Sequence, residues 1–226
     1  MSTYRLKSIF APASVAIVGG SPRARSAGRA VMRNLRESGY AGRIGWISPH
    51  HREIDGIATV AHLHDLGWVP DLVVVTAPAA LVPSLIEEAA RAGVGAAVVL
   101  TAELGAGREA FNAAIARAAR PHGMRILGPH CLGILSAHAK LNASIAARTP
   151  LAGNVALVSE SSAIAAALVE WGYAQSIGFS AVVSLGDAID VDFADLLDHL
   201  ATDPHTHSIL LYVEHVGNAR KFMSAA

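Results

Sequence analysis

Residues Gly20–Gly28 read GSPRARSAG, which puts Ser21, Arg23, Arg25 and Ser26 in one short loop between a β-branched run and a helix-forming one. Hydroxyl and guanidinium groups at the start of a helix suit a phosphate, because the unpaired N–H groups and the dipole of the helix point at the same place. The glycines at 19, 20 and 28 do not have the G-x-G-x-x-G spacing of the dinucleotide fingerprint. Where that fingerprint expects an acid for the ribose diol, the chain has Pro49, His50, His51 and Arg52, which would welcome a further phosphate. The two segments together suit a nucleotide phosphorylated on its ribose. NADP and coenzyme A both qualify, and an ordinary βα turn with solvated arginines is the competing reading.

Other residues invite weaker readings. Ser159, Ser161 and Ser162 follow an apolar run as a hydrolase nucleophile would, but the G-x-S-x-G elbow is absent and a helix N-cap explains them. Histidine pairs stand at 50/51, 62/64 and 205/207 without acidic or cysteine partners at ligand spacing, so no metal site is expected. Asp190–Asp203 carries five acids, yet Val191, Leu196, Leu197 and Leu200 form a helix face, which makes the acids its wet side. Cys131, alone of its kind, reads equally well as a small buried core residue.

These residues need a scaffold. Short β-branched runs at 15–19, 44–48, 72–76, 96–101 and 125–127 alternate with helical patterns at 27–37, 81–92 and 107–121. Such alternation predicts a Rossmann-like doubly wound parallel sheet with both faces covered, and ligands then bind at the carboxyl ends of its strands. Those ends read TAPA (76–79), TAEL (101–104) and GPHCLGI (128–134). Pro and Gly punctuate Ala147–Asn154, where a second unit begins, so the expected division is 1–149 and 150–226. The second unit offers three strands (155–159, 181–184, 208–213) and two helices (163–171, 192–201), and looks cut short. Its apolar last strand should find a neighbour in another copy or in missing parts of a parent chain. A strictly monomeric light-scattering profile at high concentration would count against that.

Composition narrows the classes. Of 226 residues, 52% are hydrophobic and 16% charged, which argues for a well-buried core. Lys+Arg and Asp+Glu balance at 18 each, so no global field recruits nucleic acid or anionic lipid. A single cysteine excludes an internal disulfide framework. No apolar leader precedes the first strand and no apolar run is long enough for a bilayer, so a cytoplasmic protein is expected, without membrane contact. The Asn142-Ala143-Ser144 sequon is then a chance match.

Taken in order, the first loop, the strand ends, GNVALVSESSAIAAAL (153–168), IGFSAVVSLGDAIDVDFADLLDHLATDP (177–204) and ILLYVEHVGNARKFMSAA (209–226) resemble the CoA-binding region of the NDP-forming acyl-CoA synthetases. These are relatives of the succinyl-CoA synthetase alpha subunit. The resemblance covers essentially the whole chain and implies a CoA-binding Rossmann-like domain followed by a flavodoxin-like α/β domain, here truncated. By position, Gly20, Ser21, Arg23, Arg25 and Ser26 would lie along the CoA phosphates, and Pro49, His50 and His51 at the adenosine end. Ala77, Pro78, Thr101 and Glu103 would line the pantetheine channel, with His130 and Cys131 at the thiol or acyl end. Ser159, Ser161 and Ser162 match the family's phosphate-binding turn. Glu214 matches the carboxylate that orients a phosphohistidine. The histidine itself belongs to an SHTG-type motif that does not occur here, so ATP or ADP would act only through a missing domain.

The chain also departs from the family. His130 stands for the Asn of GPNCLG, SESS for SQSG and TAEL for TAGF. Ser162 would crowd a phosphate and Glu160 would add charge beside it. This pattern suggests CoA or acetyl-CoA binding that has outlasted catalysis. It resembles the family branch fused to a GNAT-type lysine acetyltransferase, in which the synthetase-like part senses acyl-CoA. The alternative is a piece of an active ADP-forming acetate–CoA ligase. An NADP-dependent oxidoreductase is disfavoured, because no Tyr-Lys or His pairing for hydride transfer is evident.

Overall fold

The computed structural model describes residues 3–226. A short helix α1 (Lys7–Phe10) leads into strand β1 (Ser14–Val18), helix α2 (Ala27–Glu37) and strand β2 (Arg43–Ile47). A small hairpin, β3 (Glu53–Ile54) and β4 (Ile57–Ala58), precedes β5 (Leu72–Val75), α3 (Val82–Arg91), β6 (Ala96–Val99), α4 (Arg108–Ala119) and β7 (Arg125–Leu127). Then come β8 (Gly133–Ser136), β9 (Leu141–Ser144), β10 (Ala152–Ser159), α5 (Ser162–Ala174), β11 (Phe179–Ser184), α6 (Phe193–Leu200), β12 (Ser208–Tyr212) and α7 (Ala219–Ala225).

The first sheet has the order β2-β1-β5-β6-β7, and every adjacent pair is parallel. Its central strands are buried on both faces, from Val15 to Val18, Leu72 to Val75 and Ala96 to Val99, as their unbroken apolar runs require. The chain runs outward from β1 to β2, then back past β1 to β5. The topological switch point therefore lies between the carboxyl ends of β1 and β5, where such sheets bind ligands.

The second sheet has the order β12-β10-β11-β8-β9. Here the structure departs from the sequence reading: this sheet has five strands, and two of them, the antiparallel hairpin β8–β9, precede the punctuated segment at 147–154. The hairpin pairs with β11 because Ile134, Leu135, Leu141 and Ala143 are all fully buried, and they complete the core of the second sheet. Asn34 of α2 holds the end of the hairpin, donating from Nδ2 to Ser144 O and Ala146 O at 2.9 Å each.

A second correction concerns the acids of α6. Asp195 is not on a wet face: its side chain is 1% exposed and lies between two cations. Arg125 of β7 donates from Nη2 to Asp195 at 2.8 Å and from Nε to Asp190 at 2.9 Å. Lys221 of α7 reaches Asp195 at 2.8 Å and both oxygens of Asp192 at 2.9 Å. Burial alone would lower the pKa of both cations, but the hydrogen bonds and charges of these acids prevail and hold each above its ordinary value. The network joins the first sheet to the second.

His199 makes a third join, its ring 4.2 Å from that of Phe10 in α1. Burial pushes the His199 imidazole below its ordinary 6.5, against a smaller upward pull from Asp203. Between the lowered folded value and 6.5 the unfolded chain binds a proton that the folded chain does not. The contribution of His199 to stability is thus intact above 6.5 and is lost as the pH falls through that window. The thermal midpoint should fall below about pH 6.5, and H199N should have a shallower fall in the same scan. Equal slopes for the two proteins would refute this assignment.

Candidate functional site

The loop after β1 is shaped by two close approaches. Gly19 has φ +101°, and a Cβ there would meet Ala77 N at 2.8 Å. A Cβ on Gly28, in the first turn of α2, would come within 2.8 Å of Gly20 Cα. Small residues at both points let α2 start directly behind the loop. Ser26 stands at the N-cap, but its hydroxyl accepts from Ser21 N (3.0 Å) instead of capping its own helix. The opening N–H groups of α2 thus face the loop. Arg23 and Arg25 are exposed, and neither makes an ion pair among the described residues. Arg29, by contrast, is held by Asp55 and Pro22 O.

The carboxyl ends of the strands are stitched to one another. Trp46 of β2 donates from Nε1 to Gly19 O at 2.7 Å, a contact the sequence reading missed. Thr76 N donates to Val18 O at 2.8 Å, and Thr101 donates its hydroxyl proton to Ala77 O at 2.7 Å. His130 N reaches Thr101 O at 3.2 Å, and Asp187 N, from the second sheet, reaches Pro129 O at 2.9 Å. The expected site residues therefore fall along one edge: Gly20, Ser21, Arg23, Arg25 and Ser26 over β1, Ala77 and Pro78 over β5, Thr101 and Glu103 over β6, His130 over β7. From β1 to β7 the edge spans three strand spacings, roughly 14 Å. Pro49 and His50 are exposed beyond β2, and the His51 carbonyl accepts from the Thr59 hydroxyl.

Cys131 does not join them. It is 3% exposed, its thiol directed at Val99 O (3.4 Å), and burial pushes its pKa up to about 12. It is a core residue, inert as a nucleophile.

The serine turn is satisfied internally. Ser159 Oγ donates to Ser161 O (2.8 Å), Ser161 Oγ accepts from Ile164 N (3.3 Å) as the N-cap of α5, and Ser162 Oγ lies 3.1 Å from Ser184 Oγ. Glu160 is not an idle charge beside the turn: its carboxylate accepts from Glu214 N (2.5 Å) and His215 N (2.9 Å) and fixes the loop after β12. Glu214 itself is exposed, with its backbone but not its carboxylate engaged among the described residues.

Beside this turn, across the carboxyl ends of β10, β11 and β12, lies a cavity of about 500 Å³, lined by Arg120, Glu160, Asp187, Asp190, His215 and Asn218 among others. Arg120, Asp187, His215 and Asn218 were assigned no role from the sequence, although the last three lie in stretches that carry the resemblance. Asp187 is the pivot between the two sites. Its side chain is 5% exposed and accepts from Arg108 Nη2 (2.7 Å), Arg108 Nε (3.0 Å) and Asn112 Nδ2 (2.8 Å) of α4, with His130 Nδ1 3.7 Å away. The hydrogen bonds and charge of Asp187 hold the Arg108 guanidinium above its ordinary value.

Of the histidine pairs, His62 and His64 stack on each other with ring centroids 5.4 Å apart, His207 lies 3.2 Å from Asn154 Nδ2, and His205 stacks on His138 with ring centroids 4.0 Å apart. That pair sits near the start of β10, away from the strand ends just described. Among the described residues no group of three or more His, Cys, Asp or Glu side chains is arranged to hold a metal ion, and no helix is long and apolar enough to cross a membrane.

A glycine-bearing loop and helix start at the switch point of a parallel sheet, with a second α/β layer beside it, make this a Rossmann-like α/β protein. Family comparison makes this specific: the CoA binding domain profile matches residues 13–137, and the succinyl-CoA ligase like flavodoxin domain profile matches 152–226. The chain belongs to the CoA binding domain family, with the ligase-like flavodoxin domain following. It is 37% identical over 231 residues to the alpha subunit of ADP-forming acetate–CoA ligase I of Pyrococcus furiosus, covering 98% of this chain and 49% of that one. It is 35% identical over 224 residues to ADP-forming acetate–CoA ligase I of Archaeoglobus fulgidus, covering 98% and 32%. A solved structure, the dinucleotide forming acetyl-coenzyme A synthetase 1 of Ca. Korarchaeum cryptofilum in complex with phosphate and ADP, superposes with a TM-score of 0.93 at 34% identity, covering 99% of this chain and 49% of that one. The chain thus spans between a third and a half of the length of these relatives.

Proposed function

We propose that this chain is the CoA- and acyl-CoA-binding part of an ADP-forming acyl-CoA synthetase. The observation that carries the reading is the loop of Ser21, Arg23, Arg25 and Ser26 at the switch point of the parallel sheet, with two guanidinium groups that make no ion pair among the described residues, before the N-terminus of α2. The ribose phosphate and pyrophosphate of CoA would take the arginines, and the arm would cross Ala77, Thr101 and His130. The cavity at Glu160 and His215 would then take the acyl and phosphoryl groups, with ADP brought by a further domain or subunit.

The ligase reading is preferred to the acetyltransferase-linked sensor. The case for lost catalysis leaned on Glu160 as a charge opposing phosphate, and Glu160 spends its carboxylate on the backbone of Glu214 and His215. The relatives described above are also named as ligases or synthetases.

Calorimetric titration with CoA, acetyl-CoA, dephospho-CoA and NADP tests this. CoA should bind, and removal of its ribose phosphate should weaken binding by about 1.5–3 kcal/mol, the range for hydrogen bonds to a charged group. NADP heat without CoA heat would overturn the reading.

A further inference from the structure

His130 occupies an unusual position. It follows the cis peptide Gly128–Pro129, has φ +60°, and leaves its side chain 52% exposed beyond the carboxyl end of β7, 3.7 Å from Asp187, which lines the cavity of the second sheet. Its backbone is fixed from both sides, by Thr101 O and by the bond from Asp187 N to Pro129 O. Its Nδ1 faces the carboxylate of Asp187, which is itself immobilised by Arg108 and Asn112. A half-exposed imidazole whose one nitrogen faces a buried, fixed carboxylate can offer its other nitrogen to a ligand. The thiol at this end, Cys131, is buried and turned away, while Glu103 lies over β6 and Glu160, Asp190 and His215 line the adjoining cavity.

We propose that His130 is the proton acceptor for the thiol of bound CoA, with Asp187 as its positioning residue; this rests on the CoA reading above. Nε2 takes the S–H proton, giving imidazolium and thiolate, and the Asp187 carboxylate faces the resulting positive charge across the ring. The thiolate pair then forms the S–C bond to the carbonyl carbon of an acyl phosphate held in the adjoining cavity, and phosphate leaves with the electrons of the broken C–O bond. In the reverse direction the imidazolium returns the proton to the departing thiolate.

The test is an ultraviolet titration of the CoA thiolate on the 226-residue chain at saturating CoA, with desulfo-CoA as the background. In the wild-type complex the thiol should titrate about one pH unit or more below the ordinary thiol value of roughly 8.5, the effect of a cation within a few ångströms. H130N should return the midpoint to that of free CoA; asparagine tolerates the left-handed backbone, so the loop is preserved. D187N should move the midpoint part of the way. Identical midpoints for wild type and H130N would overturn the role of His130 while leaving CoA binding intact. Absence of any CoA binding to the wild type would instead overturn the functional reading and this inference with it.

Discussion

Asp195→Ala is expected to destabilise the folded chain by about 3–5 kcal/mol, the range for breaking a buried ion pair from one side. The carboxylate is the shared partner of Arg125 and Lys221, and its removal leaves a guanidinium that is only 7% exposed with half of its acidic partners gone. Asp190 cannot replace it, since one of its oxygens already serves both Arg125 Nε and Ile126 N. For a chain of this size the melting temperature should drop by on the order of 10 °C or more. The double variant R125M/D195M should recover part of the loss, because a buried charge stripped of one acidic partner costs more than an apolar pair. A single-variant loss below about 1 kcal/mol, the level of a surface pair, would show that the network is solvated in solution.

Arg23→Ala with Arg25→Ala should weaken CoA binding about 100-fold, the sum of two contacts near 1.4 kcal/mol each. Both side chains are exposed and neither makes an ion pair among the described residues, so stability should stay within about 0.5 kcal/mol of wild type. The affinity of the double variant should also fall less steeply with added salt, since two charges facing phosphate are gone. Unchanged CoA affinity would return these arginines to the solvent and leave the loop an ordinary βα turn.

The first sheet was readable because its strands are short, mostly apolar runs bounded by turns, and helix Ala27–Glu37 has the same bounds in the structure as in the periodicity. The hairpin β8–β9 was not, because both of its faces are buried and it lacks an alternating pattern; its turn uses Lys140 at φ +52° instead of a glycine. The hairpin β3–β4 did carry a signal, Asp55-Gly56 with both residues at positive φ, but its two-residue strands are too short for a period to register. The Gly20–Gly28 loop stood out by residue type alone. Asp187 and Asp195 could not: the cations that give them meaning lie 79 and 70 residues earlier in the chain. Glu160 was misjudged for the same reason, since its partners are backbone groups 54 and 55 residues away.

Asn34 grips the hairpin on one flank of the junction, while Arg125 and the Phe10–His199 contact grip α6 on the other. A hinge needs one compliant side, and this joint is pinned on both. If a long, flexible coenzyme docks along these strand ends, it meets two sheets already tied together, and the freedom surrendered on binding is the ligand's own.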